Sequence, residues 1–248
     1  MLTRCDIERF GAEFMRAVRI AIGHPEHCRA CKTMLVDGED YICTRCRMEA
    51  PLTYLWKEQD NQMEQRFWGL IPIERATALL WYIKGSAWQR FIHALKYHEI
   101  TYHGGKLGRW FGHELMRSNW LEGIDLIVTV PLHWSKSFKR GYNQSEYIAH
   151  GISVVSGIPH NFNTIRRYRN NPSQTTQSYG QRWKNASNLF EVTKPEKLRS
   201  RHILLVDDVF TTGATIVSCA EAIIEACEGD VRISIATLAI SSNAFSNE

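Results

Sequence analysis

No stretch of this 248-residue chain approaches the roughly 18 consecutive apolar residues of a membrane span, so no membrane insertion is expected. The first turns mix Arg4, Asp6, Glu8, Arg9 and Glu13, which excludes the apolar core of a secretory signal; a cytoplasmic protein is expected. Internal repeats and low-complexity segments are lacking as well. With 44% hydrophobic and 23% charged residues the composition is globular and argues against long disorder. The length suits one medium domain with an appendage, or two small domains.

Net charge is low, +4, but unevenly spread. Between His133 and Phe190 lie Lys136, Lys139, Arg140, Arg166, Arg167, Arg169, Arg182 and Lys184 against the single acid Glu146, a segment of +7 on an otherwise acidic chain. Such a segment is either a solvated basic loop or a surface for a polyanion, phosphates or nucleic acid. Aromatic residues alternate with the bases: Trp134, Phe138, Tyr142, Tyr168 and Trp183 either stack nucleobases or pack within the fold.

Cysteines are few, and four of the seven are patterned. Cys28 and Cys31 form one C-x2-C element, Cys43 and Cys46 a second, with eleven residues between them. In a chain without an export signal, paired C-x2-C knuckles point to metal rather than disulfides. Each knuckle aims two thiolates at one point, and together they supply the four tetrahedral ligands that Zn²⁺ prefers. A closed set of four leaves no open position, so the zinc is read as structural; free thiols or an iron–sulfur cluster are the competing accounts. Cys219 and Cys227 fit core positions on a late helix.

Ile7 to Ile22 carry an apolar helical stripe before the cysteine module. Residues 1–50 are expected to form the helix and zinc-ribbon module, 51–74 a linker, and 75–248 the main domain. Arg75 to Ile83 reads as a strand. A helix with Trp88, Phe91, Ile92 and Leu95 inward follows, then another after Gly104-Gly105 with Leu107, Trp110, Phe111 and Leu115 inward. Strands at Asp125–Val130 and Ile203–Val206 are nearly all apolar, the signature of strands buried on both faces of a parallel sheet. His160 to Arg166 is a weaker strand, and Val231 to Ile240 a strong one. Helices are expected from Gln144 to Val155 and from Ala214 to Cys227. This alternation predicts an α/β fold: an open, mostly parallel sheet with helices on both faces.

The most informative segment is Ile203 to Thr215, ILLVDDVFTTGAT. A hydrophobic strand ends in Asp207 and Asp208, and a loop then opens a helix. Ligands of open α/β sheets sit at the carboxyl ends of strands. Thr211, Thr212, Gly213, Ala214 and Thr215 offer consecutive backbone N–H groups, hydroxyls and a helix N-terminus, a nest for a monophosphate. Ionised carboxylates accept from sugar hydroxyls. Hydroxyls plus a terminal phosphate describe a ribose 5-phosphate.

This segment resembles the signature of type I phosphoribosyltransferases, which bind 5-phosphoribosyl 1-pyrophosphate. Val128 to His133 is similar to that family's pyrophosphate loop, with Pro131, Leu132 and His133 as its ligand-binding residues. Together with Lys139-Arg140-Gly141-Tyr142-Asn143-Gln144-Ser145, Gln174-Thr175-Thr176, the Leu95-Lys96-Tyr97 box and the upstream cysteines, the chain resembles the ComF family of competence-related, phosphoribosyltransferase-like proteins. The resemblance implies a type I phosphoribosyltransferase-like domain behind a zinc ribbon, Mg²⁺ bound with phosphoribosyl pyrophosphate, and a link to DNA uptake. It implies that Asp207 and Asp208 hold the ribose hydroxyls and that Lys139 and Arg140 neutralise pyrophosphate. Lys96 is either a further pyrophosphate ligand or a snorkelling helix lysine. Single-stranded DNA and other competence proteins are the implied partners, and a non-catalytic DNA-binding factor that senses phosphoribosyl pyrophosphate is the alternative to an enzyme. Relatives carry several arginines before the RGxNQ segment where this chain has Lys136, Ser137, Phe138 and Lys139, which keeps charge but loses bidentate geometry.

Overall fold

The computed structural model describes residues 27–95, 103–132, 142–168 and 189–245. Strands β1 (Arg75–Tyr82), β2 (Leu126–Thr129), β5 (Arg201–Phe210) and β6 (Val231–Ser241) form one parallel sheet in the order β1-β6-β5-β2. Helices α3 (Ala87–Ala94), α4 (His103–Arg117) and α5 (Gln144–Ser156) cover one face, and α6 (Ala214–Ala226) covers the other. The sequence explains why. Along β5, Ile203 and Leu205 enter the core under α6, while Leu204 and Val206 enter the core under α4 and α5. A strand that feeds two cores cannot alternate with polar residues, so ILLV is apolar throughout. The α/β architecture expected from the sequence is the one observed.

Both outer strands of the sheet carry short companions. Beside β1, the Trp81 N–H donates to the Pro51 carbonyl at 2.7 Å and the Thr53 N–H to that of Leu79 at 3.0 Å. Beside β2, the Ile127 N–H donates to the Pro159 carbonyl and the Asn161 N–H to the Ile127 carbonyl, both at 2.9 Å. His160 is therefore a single parallel bridge and not the start of the strand expected to run to Arg166. A separate strand, β3 (Ile165–Arg167), pairs antiparallel with β4 (Phe190–Val192).

Residues 51–74, expected as a linker, are packed on the domain: Leu55, Trp56, Met63, Phe67 and Ile71 are buried. A capping box holds this segment. Asn61 Oδ1 accepts from the Met63 and Glu64 N–H groups ahead of helix α2 (Gln62–Gln65), and Glu64 Oε2 accepts the Asn61 N–H at 3.0 Å. The same two side chains reach β1, where Glu64 Oε1 accepts the Ala76 N–H at 3.1 Å and Asn61 Nδ2 donates to the Ala76 carbonyl at 2.9 Å.

Helix α4 includes Gly104 and Gly105, the glycines expected to precede it. Its glycines face α5. A Cβ on Gly108 would lie 2.2 Å from the Ile148 carbonyl oxygen, and one on Gly151 would lie 2.3 Å from that of Gly105. Only hydrogen at these positions lets the two backbones come so close, which overrides the poor helix propensity of glycine.

Candidate functional site

Strand pairing sets the site. Because β2 and β5 are parallel neighbours, their carboxyl ends finish side by side; the Val130 N–H still donates to the Val206 carbonyl at 3.0 Å. Pro131 and Leu132 follow β2 after the single residue Val130, and Asp207 and Asp208 stand near the end of β5. Thr211 and Thr212 form the bend that leads to Gly213, at φ +80°, the cap residue of α6. A side chain there would be strained, and its Cβ would lie 2.9 Å from the Phe210 ring. No side chain caps α6, so Ala214 and Thr215 begin a helix whose first N–H groups have no side-chain acceptor.

Among the acids of the described residues, the carboxyl of Asp207 is pushed furthest up. Its Oδ1 accepts from Ser145 Oγ at 3.0 Å and from the Asp208 N–H at 2.8 Å. Burial, with the charge of Asp208 beside it, pushes its carboxyl up to about 7, while these hydrogen bonds and the Arg167 guanidinium pull the other way. Arg167 comes from β3, lies 5.4 Å over the Phe190 ring and leaves its Nε without an acceptor. With Pro131, Leu132, Arg166, Tyr168 and Glu191 it lines a cavity of about 690 Å³. The structure thus brings Asp207, Asp208, the Thr211–Thr215 loop, Pro131 and Leu132 to one end of the sheet. Lys96, His133, Lys139 and Arg140 lie outside the described residues, as do Trp134, Phe138 and Trp183. Tyr168 is exposed, but Tyr142 is buried against Tyr147 and does not offer a face for stacking.

Three contributors escaped sequence reasoning: Ser145, Arg167 and the β4 strand that carries Glu191. Ser145 stood only within the RGxNQ resemblance, and Arg167 only as one charge among eight. The signal for both was their place, at a helix start and at a strand end.

The four patterned cysteines also converge. The sulfurs of Cys28, Cys31, Cys43 and Cys46 all lie within 4.8 Å of one another, and Cys31 and Cys43 are 3.7 Å apart. Tetrahedral Zn–S bonds of about 2.3 Å place thiolates about 3.8 Å apart. The knuckles support the sulfurs with backbone donors: the Cys43 N–H bonds to Cys28 Sγ at 3.3 Å and the Cys46 N–H to Cys43 Sγ at 3.4 Å. Hydrogen bonding to Thr33 brings the Cys31 thiol down to about 6, whereas burial pushes those of Cys43 and Cys46 up. The donor set fits a zinc ion, which would ionise all four. Helix α1 (Thr44–Met48) starts at the second knuckle, with Cys43 as its cap. Tyr41 stacks on His103 at 5.7 Å, Lys106 pairs with Asp40, and Arg47 lies over Trp110, so the module docks on α4.

No protein-family model matches the chain. DNA utilization protein YhgH of Escherichia coli (strain K12) is 25% identical over 205 residues, 82% of this chain and 86% of the relative. The Salmonella typhimurium protein of that name is 32% identical over 133 residues, 52% of this chain and 58% of its own. Competence protein F of Haemophilus influenzae is 32% identical over 101 residues, covering 40% and 44%. Among solved structures, the glutamine phosphoribosylpyrophosphate amidotransferase of B. subtilis matches 54% of this chain and 26% of its own at 15% identity and a TM-score of 0.37. An adenine phosphoribosyltransferase matches 64% and 72% at 16% identity and a TM-score of 0.34. Among the described residues no helix is long and apolar enough to cross a membrane. By sequence, then, the chain is a homologue of DNA utilization protein YhgH and of Competence protein F, in keeping with the ComF resemblance of its motifs.

Proposed function

We propose that the chain is a cytoplasmic, phosphoribosyltransferase-like protein that binds 5-phosphoribosyl 1-pyrophosphate with Mg²⁺ and serves DNA uptake alongside other competence proteins. The observation that supports this reading is the pair Asp207 and Asp208 near the end of β5, followed by an uncapped helix start behind Gly213. The carboxylates accept the ribose 2′- and 3′-hydroxyls, and the N–H groups and hydroxyls of Thr211 to Thr215 bind the 5′-phosphate. Pro131, Leu132 and His133, with Lys139 and Arg140, meet the pyrophosphate. Mg²⁺ carried by the ligand would spread the negative charge of the leaving group. Positive charge developing on the ribosyl ring in transfer would be matched by the adjacent carboxylates, and positioning with exclusion of water supplies the remainder.

Isothermal calorimetry tests this. The full chain should release heat with millimolar phosphoribosyl pyrophosphate and Mg²⁺, and the double change Asp207→Asn, Asp208→Asn should weaken binding about 100-fold or more, the loss of charge-assisted hydrogen bonds at both acids. A wild-type protein that gives no heat overturns the reading.

The names of the relatives and the +7 segment favour a second reading, a single-stranded DNA-binding factor that uses the same pocket as a sensor. Fluorescence anisotropy with labelled single-stranded DNA distinguishes them. If the basic segment grips DNA, log K should fall with log salt by about 0.7 per phosphate neutralised, and Arg166→Ala should reduce that slope by about one contact. Phosphoribosyl pyrophosphate should compete. No binding at low salt leaves the transferase reading, and binding indifferent to phosphoribosyl pyrophosphate removes the sensor.

A further inference from the structure

Helix α5 opens on three consecutive polar side chains that are nearly inaccessible: Asn143, Gln144 and Ser145 are 5%, 3% and 2% exposed. Such burial costs stability unless the groups find partners. Two of them do, at the two halves of the site. Asn143 Oδ1 accepts the Ser145 N–H at 3.2 Å, and its Nδ2 donates to the carbonyl of Val130, the residue before Pro131, at 3.1 Å. Ser145 Oγ donates to Asp207 Oδ1 at 3.0 Å. One helix start therefore joins the end of β2 to the end of β5.

We propose that Ser145 is a positioning residue for Asp207: its hydroxyl aims the carboxylate and keeps it charged for the hydroxyls of a bound sugar, and Asn143 ties that aim to the loop after β2. The assignment rests on the ribose 5-phosphate reading of the site. The other groups facing Asp207 oppose one another. Asp208 on the same strand disfavours a second negative charge, and Arg167 from β3 favours it. Cys219, from α6, is buried and its thiol is pushed up, so it adds no charge. Burial and Asp208 push the Asp207 carboxyl up, so the hydrogen bonds that oppose them decide how readily it ionises. A donor hydroxyl favours the ionised form.

Carboxyl ¹³C NMR of aspartate-labelled full chain reads the midpoint directly, with Asp207→Asn assigning the resonance. Ser145→Ala should raise the midpoint by about one pH unit, and Ser145→Thr should restore it. Should the alanine variant fail to fold, Ser145→Cys keeps the volume with a weaker donor and should shift the midpoint in the same direction. A folded alanine or cysteine variant with an unmoved midpoint overturns the proposal. In the ligand arm, wild-type affinity for phosphoribosyl pyrophosphate should fall about tenfold per pH unit below the midpoint, because protonation removes the acceptor, and Ser145→Ala should be about tenfold weaker at pH 6. Wild-type protein that binds no phosphoribosyl pyrophosphate at any pH overturns the ribose reading instead; the ligand-free midpoint still judges Ser145.

Discussion

Gly108→Ala should lower stability by about 3 kcal/mol, a fall of roughly 6–12 °C in melting temperature for a chain of this size. The new Cβ would sit 2.2 Å from the Ile148 carbonyl oxygen, a backbone atom that cannot rotate away. Helices α4 and α5 must then separate, and every side chain between them loses contact. The better helix propensity of alanine, about 1 kcal/mol, offsets only part of this. Gly105→Ala is the control within the same helix. Its Cβ meets only the Tyr147 carbonyl oxygen at 3.7 Å, an ordinary contact, so it should be neutral or slightly stabilising. Thermal melts of the two variants check the pair; equal melting temperatures would refute the close-packing account. The damage should also reach the candidate site, because Asn143 and Ser145 stand at the start of α5.

The second large effect concerns the four cysteines. One zinc ion per chain is expected by elemental analysis, and its removal by a chelator, or Cys43→Ser, should lower the melting temperature of the whole chain by about 10 °C or more. The reason is the shared core. Cys28, Tyr41, Ile42, Cys43 and Cys46 belong to the same apolar cluster as Phe91, Leu107 and Phe111. A module that lost its metal would withdraw Tyr41 from His103 and Asp40 from Lys106. Differential scanning calorimetry checks this. An unchanged transition for the sheet after zinc loss would mean that the module folds and melts by itself.

What was legible in the sequence divides along physical lines. Strands that feed two cores have no polar face, so Leu126–Thr129 and Ile203–Val206 announce themselves as short apolar runs. The inward residues of α3 and α4 follow helical spacing, and all eight expected there are buried. The acids, the threonine loop and the cysteine knuckles were visible because each is local in the chain. What escaped depends on distant partners. The glycines of α4 look like a turn until α5 is placed against them. Residues 51–74 show no period because three of their buried side chains, Thr53, Asn61 and Glu64, are polar and spend hydrogen bonds on β1. Strand β4 is only Phe190–Val192, and its partner β3 ends 23 residues earlier, so no turn signal connects them. Ser145 is an ordinary serine in sequence; its hydrogen-bond partner Asp207 lies 62 positions away.

The companions of the outer strands have a consequence for self-association. An open sheet offers unpaired N–H and C=O groups along its outer strands, which can template pairing with another chain. Here Pro51 to Thr53 occupy the margin of β1, and Pro159 to Asn161 occupy that of β2. Both covers begin with proline, which lacks an N–H and so is a poor partner for a further strand. At these two margins a second copy could extend the parallel sheet only by first displacing one of these segments, so the cover protects the described outer strands from backbone pairing.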